Sequence, residues 1–496
     1  KFDEALELYL KASKSAPQDN VLSYMIGLCY LNTSDKTKAI PYLEKAAEQI
    51  PDLPETDYLL GKAYQLNYQF DKAMYQYNNY KSALSQTELR KKYISRIIAK
   101  VIREEQNFQR SPKVKVTNIG DIIDRRIEEC RQVKRFVKDP VDVVIENLGT
   151  NVNTTYPEYG PVITADESVM YFTSRREETT GGGKDPIDGK FFEDIYVTIN
   201  VEGKWLPALS IEAPICTDLH ESVIGLSADG QKLFIYKDES GDGGDLYVSN
   251  VHGPVWGPPE RLPEGINSRF AEKSASLSAD ESMLFFVSDR PGGQGGRDIY
   301  MSKKKDRNTW YKPVNLGSKI NTKYDEDGVF FHPDGKTLYF SSKGHQGLGG
   351  YDIFEATYEK GKWSEPRNLG YPINTIDDDI YFVLSANGER GYYSSFRNDG
   401  EGEKDLYKIT FPKPSKKLTL LAGVITDKIT SGYLGTDIQI IDNDSNKVIG
   451  ELSSNAQTGK YLISLPSGRN YGINVSKEGY LFHSENFDIP ALKEYL

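Results

Sequence analysis

The chain has 496 residues, of which 38% are hydrophobic and 27% charged, and its net charge is −11. This length predicts about three or four domains, and the composition is that of an ordinary soluble chain able to bury a sizeable core. The acidity is spread along the chain, which excludes the basic face or arm of a nucleic-acid-binding protein. No apolar run approaches the ~20 residues that span a bilayer, so we expect no transmembrane segment.

The N-terminal region repeats with a period of 34 residues. That spacing relates four sets of positions: Ala5, Ala39 and Ala73; Gly27 and Gly61; Tyr30 and Tyr64; Pro17 and Pro51. Small residues let paired helices approach closely, and Pro ends the second helix of a pair. The pattern resembles tetratricopeptide (TPR) repeats. Because the chain begins at Lys1 within a half repeat, we expect a longer natural protein with its targeting segment further upstream.

Two apolar stripes at helical spacing follow and predict helices that cap the repeats. They consist of Tyr93, Ile94, Ile97, Ile98, Val101 and Ile102, and of Ile119, Ile122, Ile123, Ile127, Cys130, Val133 and Phe136. Cys29 and Cys130 lie on apolar helical faces and are predicted to be small buried thiols. Three widely spaced cysteines, with Cys216 as the third, match neither a disulfide framework nor a zinc site.

From about residue 148 the pattern changes to short strands, and an Asp-[Ile/Leu]-[Tyr/Phe] triplet recurs at intervals of 51, 53, 54 and 53 residues. Counting the triplet itself, five motifs recur. They are the triplets at Asp194, Asp245, Asp298, Asp352 and Asp405; a following Trp at 205, 256, 310 and 363; a turn residue at Asp166, Asp229, Asp280, Asp334 and Asn387; an earlier acidic residue at Glu158, Glu221, Glu272, Glu326 and Asp378 or Asp379; and a leader Asn at 153, 267, 321 and 374.

Each unit is long enough for four short strands, and one such unit cannot bury both of its faces. Radial stacking solves this problem, so the repeats predict a β-propeller. We count five blades and leave a sixth open, formed by Val141–Leu148 and the end of the last repeat. The simpler alternative is that this segment completes a blade and closes the ring.

A linker at 408–417 leads into a predicted small β-sandwich. Its strands are predicted at Leu418–Thr426, Thr436–Asp442, Lys460–Leu465 and Tyr471–Lys477. The predicted fold class is therefore multidomain, α plus all-β. TPR repeats and capping helices occupy 1–138, the propeller 139–413 and the sandwich 414–490.

Four segments carry a family resemblance. SDRPGGQGGRDIYMS (Ser288–Ser302) and SSKGHQGLGGYDIFEA (Ser341–Ala356) resemble PD40, or WD40-like, propeller repeats. GVITDKITSGYLGTDIQIID and TGKYLISLPSGRNYGINVSKEGY resemble a carboxypeptidase regulatory-like domain of transthyretin type. In this order the modules resemble the PorE-like outer-membrane lipoproteins of Bacteroidota across essentially the whole chain.

That resemblance implies an envelope scaffold associated with type IX secretion and gliding. In the family a lipidated cysteine precedes the TPR region and an OmpA-type domain follows the sandwich; neither lies within this sequence. The implied location is the periplasmic face of the outer membrane. The implied partners are outer-membrane, secretion or gliding proteins, and peptidoglycan bound through the C-terminal domain that is missing here.

The Gly-rich loops before the triplets, at Gly241–Asp245, Gly292–Asp298 and Gly344–Asp352, admit two interpretations. Glycine permits tight turns and Asp accepts backbone N–H groups, so a turn structure repeated in every blade is favoured. Calcium is the alternative, although no loop has the ligand spacing of an EF-hand.

Basic residues follow several blade strands, at Arg175, Arg176, Arg290, Lys343 and Arg397. Because acidic residues recur in step with them, ion pairs within blades are favoured. The alternative is a glycan-binding or glycan-cleaving propeller with a unique Arg, Asp and Tyr cluster at the axis. With 33 tyrosines, the sequence cannot nominate a nucleophile.

Other enzyme classes lack their motifs. No Gly-x-Ser-x-Gly elbow of a serine peptidase is present. The histidines, His220, His252, His332, His345 and His483, form no metal-ligand pair and are predicted to be turn and surface residues. We therefore nominate no catalytic, cofactor-binding or metal-ligating residue and no cofactor, and leave the binding residues unknown. The expected function is a non-enzymatic scaffold that binds partner proteins through TPR and propeller surfaces.

Overall fold

The computed structural model describes residues 2–33, 35–49, 55–85, 119–186, 188–227, 230–238, 243–252, 255–279, 281–306, 309–413, 418–456 and 458–490. Several predicted features lie outside these residues: Pro51, the stripe Tyr93–Ile102, the turn residues Asp229 and Asp280, and the start of the loop at Gly241. The described helices are α1 (Phe2–Ser15), α2 (Asn20–Tyr30), a 3₁₀ turn (Lys36–Lys38), α3 (Ala39–Gln49), α4 (Glu55–Leu66), α5 (Phe70–Ser85) and α6 (Ile119–Lys138).

Small residues set the spacing between paired helices. A Cβ on Gly27 would lie 2.6 Å from Leu43, and one on Gly61 would lie 2.8 Å from Tyr77. These two glycines are 34 residues apart and each faces the next helix of its pair. Ala39 and Ala73 are fully buried. The 34-residue period therefore reflects equivalent packing in two successive helical pairs.

Helix α6 follows its predicted apolar stripe, because Ile123, Ile127, Cys130 and Val133 are buried against the preceding helices. All three cysteines are buried. Within the described residues, no helix is both long and apolar enough to cross a bilayer.

The region after α6 forms antiparallel sheets. A first strand is β1 (Val144–Asn147). The first two complete sheets are formed by β2 (Glu158–Ile163), β3 (Val169–Ser174), β4 (Asp194–Val201), β5 (Lys204–Trp205) and β6 (Leu209–Ser210), and by β7 (His220–Leu226), β8 (Lys232–Asp238), β9 (Asp245–His252), β10 (Val255–Trp256) and β11 (Glu260–Arg261).

The next sheets repeat this order. They are formed by β12 (Glu272–Leu277), β13 (Met283–Ser288), β14 (Asp298–Lys303) and β15 (Val314–Asn315); by β16 (Glu326–Phe331), β17 (Thr337–Ser342), β18 (Asp352–Glu359), β19 (Lys362–Trp363) and β20 (Arg367–Asn368); and by β21 (Asp379–Leu384), β22 (Arg390–Ser395) and β23 (Asp405–Thr410).

The first strand of each sheet contacts the first strand of the next, and β21 returns to β2. The sheets therefore stand radially around a central axis, which is a β-propeller. Strand β1 pairs antiparallel with β23, joining Val144 to Thr410 and Asn147 to Tyr407. The segment before the repeats thus completes the last sheet and closes the ring.

The helices pack on one end of this propeller. Leu348 and Ile376, from loops of the last two sheets, are buried in the same apolar cluster as the helices. Lys36 forms an ion pair with Asp377, and its ammonium lies 3.9 Å from the centre of the Phe396 ring. The inner strands begin at this end of the axis, which is the end described below.

The C-terminal strands form two sheets around an apolar core of Ile438, Ile440, Leu465 and Tyr471. They are β24 (Leu418–Val424), β25 (Asp437–Asp442), β26 (Lys447–Ser453), β27 (Lys460–Pro466), β28 (Arg469–Ser476) and β29 (His483–Ile489). β24 pairs with β27, and the other four form the second sheet in the order β26-β25-β28-β29. The sequence did not predict strands β26 and β29, because each buries only one residue, Gly450 in β26 and Ile489 in β29, and so shows no alternation of buried apolar residues.

A candidate binding site at the propeller axis

The acidic residue that recurs at the start of each inner strand has a structural role. In every sheet, a Thr or Ser four residues earlier donates its backbone N–H and its hydroxyl to this carboxylate. The carboxylates belong to Glu158, Glu221, Glu272, Glu326 and Asp379, and all are fully buried. These contacts fix the entry into each inner strand.

The leader Asn joins neighbouring sheets. Asn321 accepts the N–H of Ile299 at 2.7 Å and donates to its carbonyl at 2.9 Å. Asn153, Asn267 and Asn374 bind Leu406, Leu246 and Ile353 in the same way. Cys216 holds the equivalent position between the first two sheets, where its Sγ accepts the N–H of Ile195 at 3.3 Å. The cysteine is therefore a variant of a structural joint.

The triplet Asp folds the Gly-rich loop that precedes it. Asp298 accepts the N–H groups of Gln294 and Gly295 at 2.5 and 3.0 Å, and Asp352 accepts those of Leu348 and Gly349 at 2.8 and 3.2 Å. A Cβ on Gly293 would lie 1.6 Å from the Asp298 carboxylate. Glycine is needed where the loop crosses its own carboxylate, as the turn interpretation requires.

The predicted ion pairs form for two of the basic residues. Arg176 contacts Glu158 at 3.1 Å and Arg290 contacts Glu272 at 2.9 Å. For Lys343 and Arg397 the pairing stays a prediction; burial raises the pKa of Glu326, the recurrent carboxyl in the sheet of Lys343, to about 8. Arg175 departs from the pattern, since it pairs with Asp188 at 2.7 Å.

Positions next to this repeating frame do not repeat. The residue before each triplet is Glu193, Gly244, Arg297, Tyr351 or Lys404, and the residue after each inner-strand carboxylate is Tyr159, Ser222, Lys273, Asp327 or Ile380. One position further along are Gly160, Val223, Ser274, Gly328 and Tyr381, which line a cavity of only about 30 Å³ in the middle of the channel. The variable positions therefore surround the axis at the end that faces the helices; we call them the axis mouth.

One side of the axis mouth is built around Glu193. Tyr159 donates its hydroxyl to this carboxylate, Ser222 donates to it at 3.2 Å, and the His220 Nδ1 lies 3.3 Å away. Burial would raise the pKa of Glu193, but the hydrogen bonds from His220 and Tyr159 outweigh it and lower the pKa to about 2. Burial would lower the pKa of His220 by disfavouring its charged form, but the hydrogen bond to Glu193 outweighs burial and raises the pKa of His220. This side presents an ionised, well-oriented carboxylate.

The facing side is built around Arg297. Its guanidinium donates to Asp327 at 2.5 Å and to the Tyr351 hydroxyl at 2.5 Å, and it lies 3.7 Å from Asp325. Within the described residues, the buried Nε of Arg297 and Oδ2 of Asp325 have no hydrogen-bond partner. Buried polar groups are normally paired, so this side retains hydrogen-bonding capacity.

Tyr381 connects the two sides. Its ring stacks on Tyr159 with centroids 6.2 Å apart. Burial raises the pKa of its phenol, with Asp327, Arg297 and Glu193 all acting on it electrostatically. It has φ +61°, the left-handed conformation that Gly160 and Gly328 adopt at equivalent positions with φ +64° and +57°. A non-glycine residue held in this region carries strain, and such residues cluster at functional sites.

A buried lysine lies beside the Arg297 side. The Lys343 ammonium is 4.4 Å from the centre of the Tyr351 ring. Burial lowers its pKa to about 8, although Asp378 acts in the opposite sense. Asp378 accepts from Lys404 at 2.9 Å, and its pKa is lowered because these lysines outweigh the effect of burial.

One group of described residues is spaced for a metal ion. Ligand atoms of Asp194, Cys216 and Glu221 lie within 4.8 Å of one another. Glu221 already accepts two hydrogen bonds from Thr217, and burial raises the pKa of both Asp194 and Cys216. A neutral thiol and a carboxyl are poor ligands, so the arrangement fits the structural joint better.

Two histidines correct the prediction that all five are turn and surface residues. His220 is half-buried between Glu193 and Asp185. His332 is fully buried beside Asp334. His483 is exposed, as expected. His220 was missed because its neighbours Glu193 and Asp185 come from the preceding sheet.

The sequence did contain a signal for the axis mouth. Aligning the repeats on the triplet and on the inner-strand carboxylate brings the variable positions into register. Recurring residues define the motifs, whereas the residues of the axis mouth differ from sheet to sheet at a fixed position. Tyr381 could not have been found in this way alone, because its φ value depends on the bulge in β21.

The fold defines a propeller protein with an N-terminal helical module and a C-terminal sandwich. No protein-family model matches the chain, and no curated protein does so.

Among solved structures, TolB from Acinetobacter baumannii is similar at 14% identity, covering 61% of this chain and 71% of its own, with a TM-score of 0.33. A GH62 hydrolase in complex with xylotriose is similar at 9% identity, covering 54% and 97%, with a TM-score of 0.36. An α-L-arabinofuranosidase from Lactobacillus brevis is similar at 13% identity with the same coverages and a TM-score of 0.33.

These structures correct one prediction. The sequence-based statement that the chain is not an enzyme is wrong, because glycoside hydrolases stand among the propellers similar to it. That prediction assumed that recurring residues account for all the chemistry of the propeller. The residues of the axis mouth are different in each sheet, so the assumption fails. The likeness itself extends to the fold alone, and the roles of residues follow from the geometry above.

Proposed function

We propose that the chain binds a glycan at the axis mouth of its propeller. The observation that carries the proposal is the contrast between positions: those that join the sheets repeat, while those that surround the axis are different in each sheet. For this proposal we take the propeller to have five blades, one for each sheet with an inner strand. A site formed once by all the blades needs such unequal contributions.

The side chains at the axis mouth suit a polyhydroxylated ligand. The Glu193 and Asp327 carboxylates can accept from sugar hydroxyls, and the Arg297 guanidinium can donate to them. The phenols of Tyr351 and Tyr381 remain protonated because burial raises their pKa values. The aromatic ring of Tyr381 adds a flat apolar face. A few convergent polar groups in a recess are typical of small-ligand sites.

Titration calorimetry with soluble oligosaccharides tests the proposal. The probes are xylo-, arabino- and chito-oligosaccharides, each against the wild-type chain and against Tyr351→Phe and Tyr381→Phe. Binding of one series, weakened by both variants, is the expected result. Since a hydrogen bond is worth about 0.5–1.5 kcal/mol, each loss should be about three- to tenfold. Equal affinity of wild type and variants, or no binding of any series, would overturn the proposal.

A second candidate is a cell-envelope scaffold resembling the PorE-like lipoproteins. It is favoured by the matched packing of Gly27 and Gly61, because tandem helical pairs of this kind present a concave surface to a partner. On this proposal the chain lies at the periplasmic face of the outer membrane, anchored by lipid. Its partners are secretion or gliding proteins, with peptidoglycan bound through a further C-terminal domain.

Affinity purification from native membranes tests the second candidate. Recovery of outer-membrane or secretion proteins by the wild-type chain, reduced by Gly27→Leu, is the expected result. Recovery that is unchanged by a variant in the helical pairs would contradict it. The two candidates are compatible, since glycan binding uses the axis mouth and partner binding uses the helices.

A further inference from the structure

A large polar cavity lies between helix α6 and the propeller. Its volume is about 370 Å³, against about 30 Å³ for the middle of the channel and about 70 Å³ for an apolar pit at the opposite end of the axis. Pockets that hold small molecules are typically ~300–1,000 Å³. Within the described part of the chain, this cavity has the size of a ligand site.

One wall of the cavity is a stripe along α6. Asp121, Arg125, Glu128 and Gln132 line it, and their spacing of three or four residues places them on one helical face. Arg125 fixes this face to the propeller: it donates to the carbonyl of Lys343 at 2.5 Å, and its guanidinium lies 4.2 Å from the centre of the Tyr324 ring.

The other wall comes from two propeller loops. Tyr324, His345 and Gln346 contribute their side chains to it. His345 is held in place by a 2.9 Å contact between its Nε2 and the carbonyl of Ile320. The lining thus combines amides, carboxylates, a guanidinium, an imidazole and a phenol, which together offer both donors and acceptors.

Lys343 is shared by this cavity and the axis mouth. It lines the cavity, and its ammonium covers the ring of Tyr351, whose hydroxyl binds Arg297. Lys343 therefore adjoins both the cavity and the Tyr351 ring at the axis mouth.

We propose that the cavity is a second subsite for the same ligand, so that the chain recognises an oligosaccharide and not a single sugar. The inference rests on the proposed function. One end of the sugar chain occupies the axis mouth, and the following units pass Lys343 and lie between α6 and the loop at His345. The helical module then contributes directly to glycan recognition.

Titration calorimetry with a length series tests this inference. The probes are xylo-, arabino- and chito-oligosaccharides of one to six units, titrated into the full chain. For the series that binds, affinity should rise at least tenfold from the shortest to the longest member. In the double variant Gln132→Ala, Gln346→Ala this ratio should fall to threefold or less. The matched control is Gln439→Ala, a glutamine of the sandwich that contacts Glu451, which should keep the wild-type ratio.

The outcomes separate this inference from the proposed function. Binding that does not depend on ligand length, or a ratio unchanged in the double variant, overturns the second subsite and leaves the axis mouth intact. No binding by any series overturns both. Thermal unfolding establishes that the double variant is folded. If the variant lowers affinity for a peptide while leaving sugars unaffected, the cavity is a peptide site and the inference is wrong.

Discussion

The joints between sheets consist of the leader Asn and of the inner-strand carboxylate with its Thr or Ser donor. They lie within a few residues of the axis mouth, yet the two regions differ in how strictly their residues repeat. At the joints a carboxylate, a hydroxyl and, except at Cys216, an amide recur, and each meets a fixed partner. At the axis mouth adjacent positions hold Glu193, Arg297 and Tyr351, and the buried Nε of Arg297 has no partner among the described residues. The repeated residues therefore hold the propeller together, and the residues that differ from sheet to sheet are the ones available to form a single ligand site.

The largest expected effect comes from breaking a joint. Asn321→Ala removes three hydrogen bonds and leaves the N–H of Ile299 buried without its partner, while the Ile299 carbonyl keeps the N–H of Leu316 at 3.1 Å. We expect the free energy of unfolding to fall by about 3–5 kcal/mol, since a buried group left unpaired costs ~1–3 kcal/mol and each of the other two lost hydrogen bonds is worth ~0.5–1.5 kcal/mol. Urea denaturation measures this. Asn398→Ala, at an exposed asparagine, is the control and should change stability by no more than about 0.5 kcal/mol. Equal effects of the two would show that the joint is not structural.

The joints also predict a pH dependence of stability. Burial raises the pKa of Glu326 to about 8 and that of Asp379 to about 7, so these carboxyls hold protons in the folded state that the unfolded chain releases near pH 4 to 5. The stabilisation is complete below the unfolded pKa values and is lost as pH rises through the folded ones. Stability should therefore decline as the pH rises from about 4.5 to 8.

Glu326→Gln isolates the contribution of one joint to that decline. The amide keeps an acceptor for Thr322 and does not titrate, so the slope of unfolding free energy against pH should flatten in this window. Denaturant unfolding at several pH values measures it. A variant whose slope matches the wild type would mean that Glu326 is not protonated in the folded protein.

A substitution at the axis mouth should lower ligand affinity and leave stability nearly unchanged, whereas a substitution at a joint should lower stability. Tyr159→Phe removes one hydroxyl, which donates to Glu193, and keeps the ring that stacks on Tyr381. We expect unfolding free energy to change by about 1 kcal/mol or less, and affinity for the oligosaccharide that binds to fall about three- to tenfold. Calorimetry and thermal unfolding on the same samples measure both. A large loss of stability without a change in affinity would place Tyr159 among the joints.

The difference between the repeated joints and the axis mouth explains how much of the structure could be predicted from the sequence. The propeller follows from spacing, because Asp298 and Asp352 fold their loops through contacts three or four residues away. The helical pairs follow from Gly27 and Gly61, because each packs against a residue of the next helix along the chain, Leu43 or Tyr77. The axis mouth could not be assembled, because Tyr159 meets Tyr381 from the far end of the repeats and Arg297 meets Tyr351 from the next sheet.

Tyr381 permits a sharper test of strain at the axis mouth. At φ +61° an alanine keeps the backbone penalty and loses the ring, whereas a glycine loses the ring and removes the penalty. Tyr381→Gly should therefore be more stable than Tyr381→Ala by about 1 kcal/mol, reversing the usual order of these residues. The pair Val223→Gly and Val223→Ala, at the equivalent position in another sheet, is the control and should show alanine as the more stable. The same order at both sites would exclude backbone strain at Tyr381.

The smallest expected effect tests whether one joint can be repaired. Cys216 stands where the other joints have Asn, and its Sγ accepts from the N–H of Ile195 at 3.3 Å while its contact with the Ile195 carbonyl is 3.9 Å. In Cys216→Asn the amide can accept and donate at the same two groups, as Asn321 does with Ile299. We expect a gain in unfolding free energy of about 0.5–1 kcal/mol, measured by urea denaturation, with no change in oligosaccharide affinity. A loss of stability would mean that the surroundings of the first joint fit the thiol better than an amide. Cys216 would then form a distinct site together with Asp194 and Glu221.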